Sequence, residues 1–110
     1  MGSINQYGIY WVNLDPTQGS EISKIRPCVV VSPDEINKYL NTVVIVPLTS
    51  TLKNYPFRVK CVVSGKAGEL AIDQIRTVDK TRLNSVKPLG NLFVDEVFNL
   101  QNVLHEMFCE

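Results

Sequence analysis

Few residues in this chain are equipped for chemistry, and those few stand where apolar runs meet loops. Arg26-Pro27 directly precedes the run Cys28-Val29-Val30-Val31, and a second run, Val43 to Leu48, ends in the hydroxyls Thr49-Ser50-Thr51. A guanidinium is a permanent cation whose planar fork matches phosphate oxygens. A threonine hydroxyl donates one further hydrogen bond. A cation and a hydroxyl cluster at such strand ends suit the binding and cleavage of a phosphodiester. Attack by a ribose 2′-hydroxyl on its neighbouring phosphate needs no metal and no covalent protein intermediate. It needs charge stabilisation on the pentacoordinate phosphorane, a donor for the leaving 5′-oxygen and a sugar restrained for in-line attack.

Other chemistries lack their residues. The single histidine, His105, falls on the polar side of a C-terminal helix near Glu106 and Glu110 and reads as a solvated side chain. No second histidine or paired cysteine supplies zinc-ligand spacing, so no metal and no cofactor is expected. A histidine acid–base pair, a Ser-His-Asp triad and a Cys-His pair are excluded for the same reason. Gly65-Lys66-Ala67-Gly68 reads as a hairpin turn rather than a phosphate cradle. Taken singly, Arg26 is a strand-end surface cation, Glu21 a loop carboxylate, and Thr49 a strand terminus whose hydroxyl bonds its own backbone. It is their combination that fits one reaction.

The elements that must position these groups are mostly short strands. Runs rich in Val and Ile, divided by Pro, Gly, Asn and Ser, fill the first eighty residues and predict a small, strongly curved sheet or barrel. Strands are expected at Tyr7 to Leu14, Arg26 to Val31, Thr42 to Leu48 and Pro56 to Val63, with one or two more from Glu69 to Val78. The polar stretch from Asp15 to Ile25 is too long for a tight turn, and loops of that length are often functional. Pro27 belongs at a strand start or edge and biases Arg26 toward an extended backbone, while Pro47 marks an edge or bulge near the end of its strand. Ser32-Pro33-Asp34-Glu35 predicts a short helix, with Ser32 as N-cap, Pro33 at the first helical position and Glu35 completing a capping box. Asp79 to Arg82 reads as a helical turn. Asp95 is the expected cap of a C-terminal helix whose apolar stripe comprises Val97, Leu100, Leu104 and Met107, joined by Phe93 and Phe108. The fold class is therefore mainly β, a small barrel with a short inserted helix and a C-terminal helix.

Bulk properties narrow the setting. The 110 residues fit one domain, 1–110, of a size that buries roughly two-thirds of its unfolded surface without staples. Eleven basic and eleven acidic residues exclude a strongly basic nucleic-acid coat protein, so any nucleic-acid contact must come from a local patch. The first sixty residues lean basic and the remainder acidic. Three cysteines, with Cys28 and Cys61 inside apolar runs and no secretory segment, favour a reducing cytoplasm. No run approaches the ~18 apolar residues of a membrane span, so no membrane partner is expected.

Read in order, longer stretches carry a family likeness. The run Trp11-Val12-Asn13-Leu14-Asp15-Pro16-Thr17-Gln18-Gly19-Ser20-Glu21, followed by Lys24-Ile25-Arg26-Pro27-Cys28-Val29-Val30-Val31, resembles the MazF/PemK toxin endoribonucleases of bacterial toxin–antitoxin systems. Val46-Pro47-Leu48-Thr49-Ser50 resembles the second motif of that family, and Ala71 to Leu83 the third. The likeness spans nearly the whole chain. It implies an SH3-like barrel, a homodimer and metal-independent cleavage of single-stranded RNA at a short sequence. It also implies a cognate antitoxin whose acidic C-terminal tail, partly disordered, covers the basic RNA groove. The catalytic arginine and threonine of the family fall on Arg26 and Thr49. The mobile loop bordering its RNA site falls on Gly19, Ser20 and Glu21, and Gln74 matches a position near the site and the dimer seam. With Lys24, Ser50, Thr51 and Lys53, these complete the expected RNA-binding set. The chain departs from the family at Tyr7-Gly8, where Gly and an acidic residue are common, and at Ile22, where Gln often follows the loop glutamate. Both departures bear on loop mobility or base preference rather than on Arg26 or Thr49.

In the mechanism so implied, Arg26 binds the scissile phosphate and protonates or electrostatically stabilises the departing oxygen, while Thr49 stabilises the phosphorane. Arginine as general base conflicts with a pKa above ~12. Either its site depresses that value, or water, Glu21 or the phosphate accepts the 2′-proton. Tyr55 and Phe57 beside Lys53 are candidates for stacking on bases, although Phe57 reads first as a core residue. Two other readings stand beside the ribonuclease: a non-enzymatic toxin of the same fold that poisons DNA gyrase through its C-terminal helix, and a catalytically silent SH3-like binding module.

Overall fold

The computed structural model describes residues 3–109. Seven strands and two helices follow in the order β1 (Gly8–Asn13), β2 (Ile25–Val30), α1 (Asp34–Tyr39), β3 (Thr42–Thr49), β4 (Arg58–Val63), β5 (Lys66–Ala71), β6 (Arg76–Asp79), β7 (Gly90–Asn91) and α2 (Val94–Phe108). Single 3-10 turns at Ile72–Gln74 and Lys80–Arg82 flank β6. The protein is mainly β, an antiparallel sheet curled into a half-barrel with a C-terminal helix, as its short Val- and Ile-rich runs predict.

β3 is the strand on which the sheet turns. Along one edge it pairs with β2, Cys28 facing Pro47 and Val30 facing Ile45. Along the other edge it pairs first with β6, from Thr42–Asp79 to Ile45–Arg76, and then with β5 through Leu48–Leu70 and Thr49–Glu69. Pro47 thus lies inside a central strand rather than on an outer edge. It sits at the changeover between β6 and β5, where a residue without an N–H costs the ladder least.

Alternation sends side chains to both faces, and both faces are buried. Ile9, Val29, Val46, Leu48, Leu70 and Ile72 form one core, closed by Leu100 of α2. Tyr10, Val12, Leu14, Cys28, Val30 and Ile45 form the other. At roughly 1.5–3 kcal/mol per fully buried aliphatic side chain, these two layers supply the main driving force for folding, offset by chain entropy. The β4–β5 hairpin turns through Ser64 and Gly65, both at positive φ (51° and 77°), because Val63 and Lys66 already pair. The turn is two residues long, and Gly68, expected within it, lies in β5 instead. There a Cβ would come within 3.0 Å of the Thr49 carbonyl oxygen.

Three local expectations differ from the structure. Pro33, not Ser32, takes the N-cap of α1, with extended backbone and no side-chain cap. The Ser32 hydroxyl is used elsewhere: it donates to Asn37 Oδ1 (2.5 Å) and accepts from Val44 N (3.1 Å), a buried network that ties α1 to β3. α2 begins one residue before Asp95, and its first turn is satisfied by Glu96, whose Oε1 accepts from Phe93 N (2.8 Å). The apolar stripe of α2 is also narrower than its spacing predicts. Leu100 is buried and Val97 and Leu104 partly so, whereas Phe93, Met107 and Phe108 are exposed, since α2 rests mainly on β4 and the Ile72–Gln74 turn.

Candidate active site

The arginine–proline pair opens β2, which β1 holds in register with Val12 opposite Arg26 and Trp11 opposite Pro27. The β2–β3 pairing runs from Val30–Ile45 to Cys28–Pro47, and Arg26 and Thr49 follow just beyond its end. Both residues border one cleft of about 420 Å³, together with Lys24, Ser50, Trp11 and Lys66. Arg26 is half-buried, and its Nε donates to the Ser23 carbonyl (3.1 Å). Among the described residues neither Nη group has a protein partner, which leaves the charged fork for a ligand. Thr49 Oγ1 accepts from Thr51 N (3.1 Å). That contact is the self-capping contact of an ordinary strand end, yet it keeps the hydroxyl hydrogen available to donate.

The loop leading to Arg26 is built as a closed neck with an exposed tip. Leu14 N donates to Lys24 O (2.9 Å) and Lys24 N to Asp15 Oδ1 (3.0 Å), with Lys24 at φ 69°. Arg76 donates to the Leu14 carbonyl (3.1 Å) and Arg82 to that of Asn13 (3.1 Å), bracing the neck from outside. At the tip, Gln18 and Glu21 exchange hydrogen bonds around Gly19, which has φ 56°, and Ser20. Gln74 holds this tip to the body of the protein. Its Oε1 accepts from Ile22 N (2.6 Å) and its Nε2 donates to Ser20 O (3.5 Å). Ser20, Glu21 and Gln74 border a second cavity of about 520 Å³ with Pro47 and Arg76. The structure therefore splits the expected set. Arg26, Thr49, Ser50 and Lys24 share one cleft, while Ser20, Glu21 and Gln74 line its neighbour, with Gly19 in the turn between Gln18 and Ser20. Thr51 and Lys53 line neither.

Sequence reasoning passed over two carboxylates that hold this arrangement. Glu69, 1% exposed, lies on β5 directly opposite Thr49 and accepts from the N–H groups of Lys53 and Asn54 (2.9 Å each). Those hydrogen bonds, the Lys53 N–H first, hold its carboxyl below the ordinary value of 4.5 against the opposing pull of burial. Glu96 accepts from Val62 N (2.9 Å) and so covers part of the free edge of β4. A lone carboxylate inside an apolar run, as in Gly68-Glu69-Leu70-Ala71, is the only trace either leaves in the sequence.

Other groups are inert or peripheral. Burial pushes the Cys28 thiol up to about 12, although the Arg76 and Arg26 guanidinium charges act the other way, and Cys61 is likewise pushed up to about 12. Neither is a nucleophile. Tyr55 and Phe57 stack on each other (5.0 Å between centroids), with Arg58 over the Tyr55 ring at 5.4 Å. Phe57 is half-buried rather than in the core. His105 and Glu106 are exposed, and Glu110 lies outside the described residues. Among the described residues no group of three His, Cys, Asp or Glu side chains converges as a metal site, and no helix is long and apolar enough to cross a membrane.

Known proteins share this architecture. The endoribonuclease toxin MazF of Escherichia coli K12 is 37% identical over 70 residues, 64% of this chain. That alignment takes in 63% of the E. coli protein, so the chain spans under two thirds of this relative's length. Endoribonuclease MazF9 of Mycobacterium tuberculosis is 35% identical over 108 residues, 87% of this chain and 88% of that one. The crystal structure of MazF from Deinococcus radiodurans superposes with a TM-score of 0.85 at 25% identity, covering 98% of both chains. A family model also matches residues 5–108, nearly the whole described length. The chain belongs to the family of PemK-like, MazF-like toxins of type II toxin–antitoxin systems.

Proposed function

We propose that this protein is an endoribonuclease toxin that cleaves single-stranded RNA without a metal, by attack of a 2′-hydroxyl on the adjacent phosphate. The observation that carries this reading is that Arg26 and Thr49, from separate strands, border one open cleft, with Arg26 Nη groups that have no partner among the described residues. Arg26 holds the scissile phosphate and stabilises the charge on the leaving 5′-oxygen. Thr49 donates to a nonbridging oxygen of the phosphorane. Lys24 and Ser50 border the same cleft and hold flanking phosphates, while Ser20, Glu21 and Gln74, next door, are placed to contact the neighbouring nucleotide. Relatives named endoribonuclease support the reaction class. The family description supports a cognate antitoxin as partner, and acidic residues on its tail would complement the cationic cleft. A homodimer and a cytoplasmic site of action complete the proposal.

The test is incubation of the protein with a long RNA in EDTA, followed by mapping of the new ends. Cleavage at one short sequence, leaving 2′,3′-cyclic phosphate ends, is the expected outcome. RNA left intact, with inhibition of DNA gyrase instead, would overturn the reading in favour of a non-enzymatic toxin.

A further inference from the structure

The loop that follows Thr49, from Ser50 to Phe57, is exposed along most of its length, yet it leaves β3 in a fixed direction. Its ends are tied to β3 by Thr51 N on Thr49 Oγ1 and to β4 by Arg58 N on the Tyr55 carbonyl, and its middle is held by one carboxylate. Glu69 stands opposite Thr49 across the β3–β5 pair, and each of its oxygens takes one backbone N–H, Lys53 to Oε1 and Asn54 to Oε2. Asn54 has φ 58°, a left-handed turn conformation that asparagine adopts more readily than other L-residues. The glycine before Glu69 lets β5 approach within 3.0 Å of the Thr49 carbonyl, measured from the position of an added Cβ. Thr49 and the backbone that aims its hydroxyl are thus clamped between β5 and a loop fixed to the same strand.

We propose that Glu69 is a positioning residue for the cleavage reaction, acting through Thr49 by anchoring the Ser50–Asn54 loop. This rests on the ribonuclease reading above. An ionised carboxylate is the group for the task, because it accepts from both N–H groups at once. A glutamine offers one acceptor and turns its NH2 toward the second N–H, so one of the two anchors is lost. The charged groups acting on Glu69 are Arg58 (4.0 Å) and Lys60, both on β4, and Arg58 also pairs with Asp73 (3.2 Å), while Asn99, Asn102 and Val103 of α2 border the same side. Among the described residues the two anchored N–H groups bond no carboxylate but Glu69. The pH response therefore follows Glu69: its anchors hold above the ordinary carboxylate value of 4.5 and release as pH falls through its lowered folded value.

The experiment compares unmutated protein with Glu69→Gln on a synthetic RNA carrying the mapped cleavage sequence. Cleavage by the unmutated protein is scored first, so that failure of the ribonuclease reading is seen on its own. In Glu69→Gln, kcat is expected to fall about 10–100-fold, the cost of a small misplacement near the reacting groups, with KM changing less than kcat. Its acid limb should also differ from that of the unmutated protein. The second measurement needs no variant. Exchange of the Lys53 and Asn54 amides, corrected for intrinsic rates, is followed against pH alongside kcat, and both should change over one pH range. A Glu69→Gln enzyme with unchanged kcat, or amides that open in acid while kcat follows a different range, would overturn the proposal.

Discussion

Two loops bring the proposed reacting groups together, and they are held in opposite ways. The loop from Asp15 to Lys24 is tied to the body by Gln74, a neutral amide that reaches its tip, and by arginines that brace its neck through carbonyls. The loop from Ser50 to Phe57 is tied by Glu69, a buried carboxylate that takes two N–H groups at its middle. A charged acceptor makes stronger hydrogen bonds than a neutral one. Under the proposed function, the hydroxyl side of the cleft is the rigid wall, and the Gly19-Ser20-Glu21 tip is the part expected to adjust to RNA.

The largest effects should come from the reacting groups themselves. Arg26→Ala is expected to lower kcat/KM for RNA about 10²–10³-fold, as for loss of one charged transition-state donor. Thr49→Val should cost less, about 10–30-fold, because a neutral donor is roughly half as strong. Circular dichroism and the unfolding midpoint of both variants should match the parent. Near-parent cleavage by Arg26→Ala would break the comparison at its root, since the loop before Arg26 would then position nothing.

Next in size is the adjustable loop. Gln74→Leu strands the Ile22 N–H and is expected to weaken tip closure by about 1 kcal/mol, a factor of about five. Limited proteolysis between Thr17 and Ser23 should speed up by that order, and RNA affinity should fall more than kcat. A fall in kcat alone would contradict the assignment of mobility to this side. Acid then probes the Glu69 anchor. Glu69 contributes stability above about pH 4.5 that is lost as pH falls below it, so the urea unfolding midpoint should drop more from neutral to acid pH in the parent than in Glu69→Gln. Gln74→Leu should leave that pH dependence unchanged.

The smallest effects concern the thiols behind each wall. Cys28 and Cys61 are buried with thiols pushed up to about 12, whereas Cys109 is exposed. At pH 8 a thiol reagent should modify Cys109 alone in the native protein, and all three cysteines in denaturant. Modification of Cys28 under native conditions would mean that the Arg26 side opens further than its hydrogen bonds imply.

Much of this molecule is written locally. Short continuous Val and Ile runs with Pro and Gly breaks determined the strands, because a sheet buried on both faces needs apolar residues at successive positions. The order of Arg26-Pro27, Thr49 and the Ala71–Leu83 stretch carried the family, and the strand ends marked the candidate site. What the sequence could not determine was register, because register depends on which strands meet. The meeting of Arg26 and Thr49 at one cleft, the shift of β3 from β6 to β5 at Pro47, and the placement of Glu69 beside Thr49 exist only once residues 20 to 50 apart are brought together. The same holds for the helix starts. Ser32 and Asp95 have the right chemistry to cap, but packing recruited Ser32 into a buried network with Asn37 and gave the α2 start to Glu96. Local propensity names the candidates; competition among long-range partners for the same hydrogen bonds decides which are used.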